Sequence, residues 1–261
     1  MREQIFMVTG ATGAIGEAIA QEIAKKNNSQ VILACRNERK ANIAVDRIIR
    51  KTANEDVYYV IVDVSRKKSV WDLAARWDGN LDVLINNAAT TPKSRVESPE
   101  GIELQFATNV LGYFWMTKAF TDILNNSAPA RVINVASYWA GDLDLDDLEF
   151  KNRKYSNNRA YRQSKQANRM LTVAFSKKLK PLGISVNACH PGDVNSKLSN
   201  DLGFSGHESP EQGAKTPVWL AVNQVGNQNT GKYFEQMREV RDRFGEDQKA
   251  IDKLYSICSN Y

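Results

Sequence analysis

The 261 residues contain only three cysteines, Cys35, Cys189 and Cys258, and two histidines, His190 and His207. Three widely spaced cysteines exclude a disulfide framework and fit a reducing compartment, so a cytoplasmic location is expected. Neither histidine has a second His or Cys at ligand spacing, and no metal is assigned. No apolar run approaches a membrane span, and strand-like sequence begins at residue 4, so neither a signal peptide nor an anchor is expected. No Pro/Gly/Ser-rich linker and no internal repeat divides the chain, which predicts one domain over residues 1–261. The net charge of +5 is scattered. Basic runs such as Arg66-Lys67-Lys68 are short with acids nearby, which reads as a solvated surface and not as a nucleic-acid footprint.

What is present is alternation. Short runs apolar on both faces, Ile5–Thr9, Val31–Cys35, Val57–Val62, Val83–Ile85, Arg131–Ala136, Ile184–Ala188 and a weak Lys232–Glu235, suit strands of a covered parallel sheet. Between them Ala41, Ala44, Val45, Ile48 and Ile49 follow helical spacing, as do Ala167, Met170, Leu171, Ala174 and Phe175. The order predicts an α/β fold, a Rossmann-type doubly wound parallel sheet of about seven strands with helices on both faces. Ligands of such folds bind beyond the carboxyl ends of the strands.

The first strand is followed by TGATGAIG. Gly10 permits a sharp turn, small residues from 11 to 14 admit a phosphate, and Gly16 lets the helix pack closely. The helix N-terminus then offers unpaired N–H groups. A tight turn alone would need one glycine, not three in seven positions. The glycines fall as G-x-x-G-x-x-G, so the literal dinucleotide fingerprint is absent. After the second strand comes ACRN. The acid that would bind a ribose 2′-hydroxyl is missing, and Arg36 is suited to a 2′-phosphate, with Arg39 and Lys40 near; a solvated strand-end arginine is the other reading. Asp63-Val64 follows the third strand, where Asp63 is either a turn residue or an adenine acceptor. Asn86-Asn87-Ala88-Ala89 follows the fourth. In AYRQSKQANRM, Tyr161 and Lys165 share one helix face, off the apolar stripe; as a lone pair they carry little. Ser137 ends a strand in RVINVASYWAG, Asn109 sits in the helical FATNVLGYF, and His190-Pro191-Gly192 ends another strand.

This ordered set, from TGATGAIG to the C-terminal KYFEQ, resembles the short-chain dehydrogenase/reductases over essentially the whole chain, and among them the retinol-dehydrogenase-like and carbonyl-reductase-like members. The resemblance implies a sheet order of 3-2-1-4-5-6-7 and a tetrad of Asn109, Ser137, Tyr161 and Lys165. Tyr161 would act as general acid/base, with Lys165 lowering its pKa and binding the nicotinamide ribose, and Asn109 would hold a relay water. Cofactor contacts are expected from Gly10, Thr12, Gly13, Ala14, Ile15, Gly16, Arg36, Asn37, Lys40, Asp63, Val64, Asn86, Ala88, Tyr161, Lys165, Pro191, Gly192, Val194 and Ser196. NADP(H) is favoured over NAD(H), with a small apolar carbonyl or alcohol substrate. Such enzymes occur as tetramers, dimers or monomers, so a homo-oligomer stays open.

Two departures stand out: Ala14 where most relatives carry a second glycine, and Ala89 in place of the Gly of N-N-A-G. Both keep the site small. Segment 141–158, acidic and then basic, is an insertion whose role the sequence leaves open. A loop over about 193–210, with Gly203 and Gly206, is expected to cover the substrate. Trp71 and Trp77 read as packing residues, whereas Trp115, Trp139 and Trp219 either pack or line the substrate region. Two other functions fit less well. The glycine spacing suggests a nucleotide-sugar epimerase or dehydratase of the extended branch, but the short chain argues against it. A non-catalytic NADP(H) sensor would not need an intact tetrad. The phosphate argument predicts that Arg36→Asp weakens NADPH far more than NADH in parallel binding titrations; equal losses would remove Arg36 from that role.

Overall fold

A computed structural model describes residues 3–261. Eight strands form one sheet in the order β3-β2-β1-β4-β5-β6-β7-β8. They are β1 (Gln4–Thr9), β2 (Ser29–Cys35), β3 (Val57–Ile61), β4 (Val83–Asn86), β5 (Ala130–Val135), β6 (Ile184–Cys189), β7 (Tyr233–Glu235) and β8 (Arg238–Val240). The helices are α1 (Ala14–Ala24), α2 (Glu38–Thr52), α3 (Lys67–Ala75), α4 (Gly112–Ala119), α5 (Thr121–Asn126), α6 (Asn157–Leu179), α7 (Lys197–Asp201), α8 (Pro210–Val222), α9 (Val225–Gln228) and α10 (Gln248–Asn260). One π-helical turn, Phe106–Leu111, leads into α4.

The doubly wound class matches the sequence reading, but there are eight strands and not seven. The extra one, β8, pairs antiparallel with β7 through Gln236 and Met237, both at positive φ. It is three residues long and wholly exposed, so it carries none of the apolar signal by which the other strands are legible. All other pairings are parallel.

Alternate strand side chains feed two cores. Phe6, Val8, Leu33 and Ile85 bury on one face. Met7, Ile32, Leu84 and Val132 bury on the other, against α4, α6 and α10. Helix starts carry their own signals: Asn37 caps α2 by accepting the Lys40 N–H at 2.9 Å, and Ser209 with Gln212 forms a capping box on α8. Helix α10 lays Ile251, Leu254 and Cys258, each fully buried, on that second core. Its Tyr255 meets Phe114 at 5.2 Å and Phe175 at 5.4 Å between ring centroids. Trp77 packs on Phe120 at 5.6 Å. Trp71, expected to pack, instead lies exposed beside Lys67, because it sits on the outward face of α3.

Leu254→Ala should lower the free energy of unfolding by about 2–5 kcal/mol, read by denaturant titration, because it removes a side chain that bridges α10 to the core.

Candidate active site

The glycine turn is built as the sequence suggests. Gly10 has φ +65°, and a Cβ there would meet Ala88 Cα at 2.7 Å. Gly16 lies against the same turn, where a Cβ would meet Gly10 O at 2.5 Å and the Asn87 amide at 2.6 Å. Asn87 holds the two segments together: its N–H donates to Thr9 Oγ1 at 2.9 Å and its side chain to Thr9 O at 2.9 Å. The Ala88 N–H joins the same hydroxyl at 3.1 Å. Gly13 caps α1 with no side-chain acceptor, and Gly13 and Ala14 are exposed, flanked by half-buried Thr12 and Ile15. The first-turn N–H groups are therefore left to a ligand or to water.

Cys35 turns inward beneath this turn. Burial pushes its thiol up to about 11, with Thr12 opposing the rise. Arg36 is thus the first side chain after β2 that reaches the rim, and it is exposed. Asn37 is occupied as the cap of α2, accepting the Lys40 backbone N–H, while the Lys40 side chain is exposed. Asp63 Oδ1 accepts from the Ser65 N–H at 3.0 Å and its hydroxyl at 2.7 Å, a turn role that leaves its second oxygen. Val64 is buried, and its carbonyl approaches Gly112. The Asn86 side chain is fully buried and donates to Asn134 at 3.0 Å and Thr117 at 3.2 Å, so any approach of a ligand to this residue is to its backbone. The strand pleat turns residue 86 into the core and hands the rim to Asn87.

Across the rim, Ser137 follows β5 and Tyr161 opens the second turn of α6. The Ser137 hydroxyl is the Tyr161 phenol's neighbour across the rim. Lys165 donates from Nζ to Val135 O at 2.8 Å and lies 5.7 Å from the Tyr161 ring centroid. Both side chains are buried, Tyr161 at 8% and Lys165 at 2% exposure. That changes the electrostatics expected from sequence. Burial pushes the Tyr161 phenol up to about 12, with Ser137 opposing and Asp193 and Tyr138 adding to the rise. Burial also draws Lys165 down to about 7. Desolvation, which disfavours both charged forms, is the dominant influence on each of the two groups.

Asn109 is fully buried within the π-helical turn. Its Oδ1 accepts from the Thr90 N–H at 2.8 Å, and its Nδ2 donates to Thr90 O at 3.1 Å and to Ser164 Oγ at 3.2 Å. Ser164 in turn donates to Tyr161 O at 2.7 Å. The Asn109 side chain thus ties the Thr90 segment to the backbone of α6.

Beyond β6, burial draws His190 down to about 4, so it is neutral. Gly192 has φ +111° and adjoins the Glu208 carboxylate. Val194 is buried, and Ser196 caps α7. The loop expected as a cover is tied at its base, where the Asn195 N–H donates to Glu208 O at 2.9 Å. Trp115 is buried core and Trp219 packs on Phe234, whereas Trp139 stands beside Tyr161. Sequence reasoning missed Asp193, whose carboxylate accepts from the Tyr138 hydroxyl at 3.3 Å, and Thr90; neither carries a local signal. Among the described residues, no helix is long and apolar enough to cross a membrane.

Residues 4–204 match the family model described as short chain dehydrogenase. The chain belongs to that family. Retinol dehydrogenase 13 of Homo sapiens is 35% identical over 271 aligned positions, covering 96% of this chain and 82% of that protein. An uncharacterised protein from Mycobacterium Paratuberculosis superposes with TM-score 0.83 at 27% identity, covering 99% of this chain and 93% of the other. The Pseudomonas aeruginosa RhlG/NADP active-site complex gives TM-score 0.71 at 25% identity, with 90% and 95% covered. The short-chain dehydrogenase fold and the oxidoreductase class thus rest on sequence and shape together.

The Lys165 shift has a sign that can be tested in this dehydrogenase. Between about 7 and 10.5 the unfolded chain holds a proton on Lys165 that the folded chain has released, so this group makes stability rise with pH across that window. Lys165→Met should flatten that rise in denaturant titrations at stepped pH.

Proposed function

We propose that the chain is an NADP(H)-dependent oxidoreductase that interconverts an apolar carbonyl compound and its alcohol, with Tyr161 as the proton donor in reduction and acceptor in oxidation. The observation that carries this reading is the buried Tyr161 phenol placed beside Ser137, one helical turn from Lys165, beyond the carboxyl ends of β5 and β6. The glycine turn fits a dinucleotide. A Cβ on Gly13 would project from the turn, meeting only Gly10 O at 3.3 Å, into the space a phosphate needs.

When bound, the cofactor supplies or accepts the hydride. The chain does the rest. The uncapped start of α1 presents N–H groups and a partial positive charge to a pyrophosphate. Arg36, with no hydrogen bond or ion pair among the described residues, is free to take a 2′-phosphate by charge-assisted hydrogen bonds. Ser137 orients the substrate oxygen, and Tyr161 hands it a proton as negative charge develops there. A phenol held up to about 12 is fully in its acid form at neutral pH, which suits the reductive direction. Lys165, near its own midpoint at about 7, can restore that proton without a large penalty for either charge state. The retinol dehydrogenases among the relatives favour an apolar alcohol–aldehyde pair as substrate.

Tyr161→Phe should keep its affinity for NADPH while steady-state reduction of a panel of aldehydes and ketones falls by at least about 100-fold. Retained turnover would take Tyr161 out of the mechanism.

A further inference from the structure

Glu103 is a buried acid, 1% exposed, that the chemistry above does not use. It stands just before the π-helical turn Phe106–Leu111. Its Oε1 accepts the Gln105 N–H at 2.9 Å and its Oε2 the Phe106 N–H at 2.7 Å. One carboxylate thus satisfies donors that the start of a helix leaves without an internal acceptor. The Glu103 main-chain O also accepts the Ala107 N–H, at 2.8 Å, so the entry to the turn hangs on this residue. Asn109 lies within the turn and grips the Thr90 main chain and the Ser164 hydroxyl, which donates to Tyr161 O. Gln105 accepts from Asn109 Nδ2 at 3.4 Å and donates to the Tyr155 hydroxyl at 2.9 Å and to Asn157 O at 3.1 Å. Cap, Asn109 amide and the start of α6 form one hydrogen-bonded chain.

Charge reaches Glu103 from several elements. Arg95 attracts a negative charge there, and is itself paired at 2.8 Å with Glu97, which bridges to Glu103. Glu149 of the 141–158 segment repels it, although Lys151 and the Tyr261 hydroxyl of the C-terminal end, each at 2.7 Å, partly offset that charge. Tyr155 is neutral, pushed up to about 12 by burial. From α6 only the uncharged Gln163 and Ser164 line the same crevice, beside Phe106, Val110 and Leu148. Burial there pushes the Glu103 carboxyl up to about 7, against its N–H donors and Arg95, which draw it down.

We propose that Glu103 is a positioning residue whose carboxylate, when ionised, holds the π-helical turn so that Asn109 keeps the Thr90 segment and Tyr161 in place. The inference rests on the oxidoreductase reading and adds a control by pH to it. Ionised, both oxygens accept, and the charge strengthens both bonds. Protonated, one oxygen becomes a donor, and either the Gln105 or the Phe106 N–H loses its partner. The turn then loosens at its entry, and the grip of Asn109 loosens with it.

Glu103→Gln fixes the neutral state, since its carbonyl oxygen accepts and its NH2 group does not. For wild type and variant, kcat/KM for reduction of the carbonyl panel with NADPH is to be measured from about pH 5.5 to about pH 8.5. The wild-type-to-variant ratio cancels every titration the two share, that of Lys165 included. It should be near one on the acid side and rise through about 7 by roughly 3- to 10-fold, a fraction of the ~100-fold that a misplacement of about 1 Å costs. A ratio constant with pH, the mark of a merely structural cap, overturns the proposal while the oxidoreductase reading stands. Failure of the wild type to reduce any compound of the panel overturns that reading, and the proposal with it. NADPH titration reports whether the variant is folded. Should it fail, Arg95→Gln decides, because loss of that cation raises the pH at which Glu103 ionises. The ratio of wild type to Arg95→Gln should then peak just above 7 and level off on either side; a flat ratio overturns the proposal.

Discussion

Parallel pairing in register at the carboxyl ends of four central strands is the constraint from which the site follows. Val8 lies opposite Ile85, Asn86 opposite Asn134, and Val135 opposite Cys189. Each strand therefore delivers its next residues to one rim: the glycine turn after β1, Asn87-Ala88 after β4, Ser137 after β5 and His190 after β6. Hydrogen bonds across that rim, above all those of Asn87 to Thr9, convert the shared edge into fixed geometry. A one-residue slip in any pair would turn core residues outward and rim residues inward together.

Burial governs the chemistry of that rim more than pairwise charge does. Tyr161, Lys165 and Asn109 are all withdrawn from water, and Lys165 and Asn109 each have a hydrogen-bond partner within the protein. That is the condition under which buried polar groups are tolerated. The result is a tyrosine biased toward its protonated form and a lysine near its midpoint at neutral pH. A further buried cation, Arg169, lies one turn beyond Lys165 on α6. Asp242 neutralises it at 2.8 and 3.1 Å, and it stacks at 3.6 Å from the Tyr233 ring centroid. The pair locks α6 to the β7–β8 end of the sheet.

The 141–158 insertion gains a structural account. Gln163, two residues after Tyr161, donates to Leu148 O at 2.8 Å and accepts from the Asp144 N–H at 3.2 Å. Glu149 accepts the Glu103 N–H at 3.1 Å, and Tyr155 is bonded to Gln105 at 2.9 Å and to Pro92 O at 3.0 Å. Asp147 and Glu149 of the acidic half are thus folded inward as acceptors for backbone and arginine donors, whereas Asp142 and Asp146 stay exposed. The segment clamps the start of α6 to the π-helical turn that carries Asn109. Its charge pattern in sequence reads as surface, because only the fold brings Arg95, Arg153 and the main-chain N–H groups to it.

The sequence by itself determined the doubly wound class, seven of the eight strands and the glycine turn, since these depend on local periodicity and on residue types at fixed offsets along the chain, while the candidate tetrad positions follow from the resemblance to the short-chain dehydrogenases. It left β8 unseen and read Trp71 as a packing residue, because short exposed strands and side-chain direction have no reliable local signature. Tertiary structure alone decided that Asn87 faces the turn, that Asn109 grips Thr90, that Trp139 stands beside Tyr161, and that the Tyr161 and Lys165 protons are set by desolvation. Those outcomes depend on how much water each group loses and which distant groups replace it, and neither quantity exists until the chain has packed.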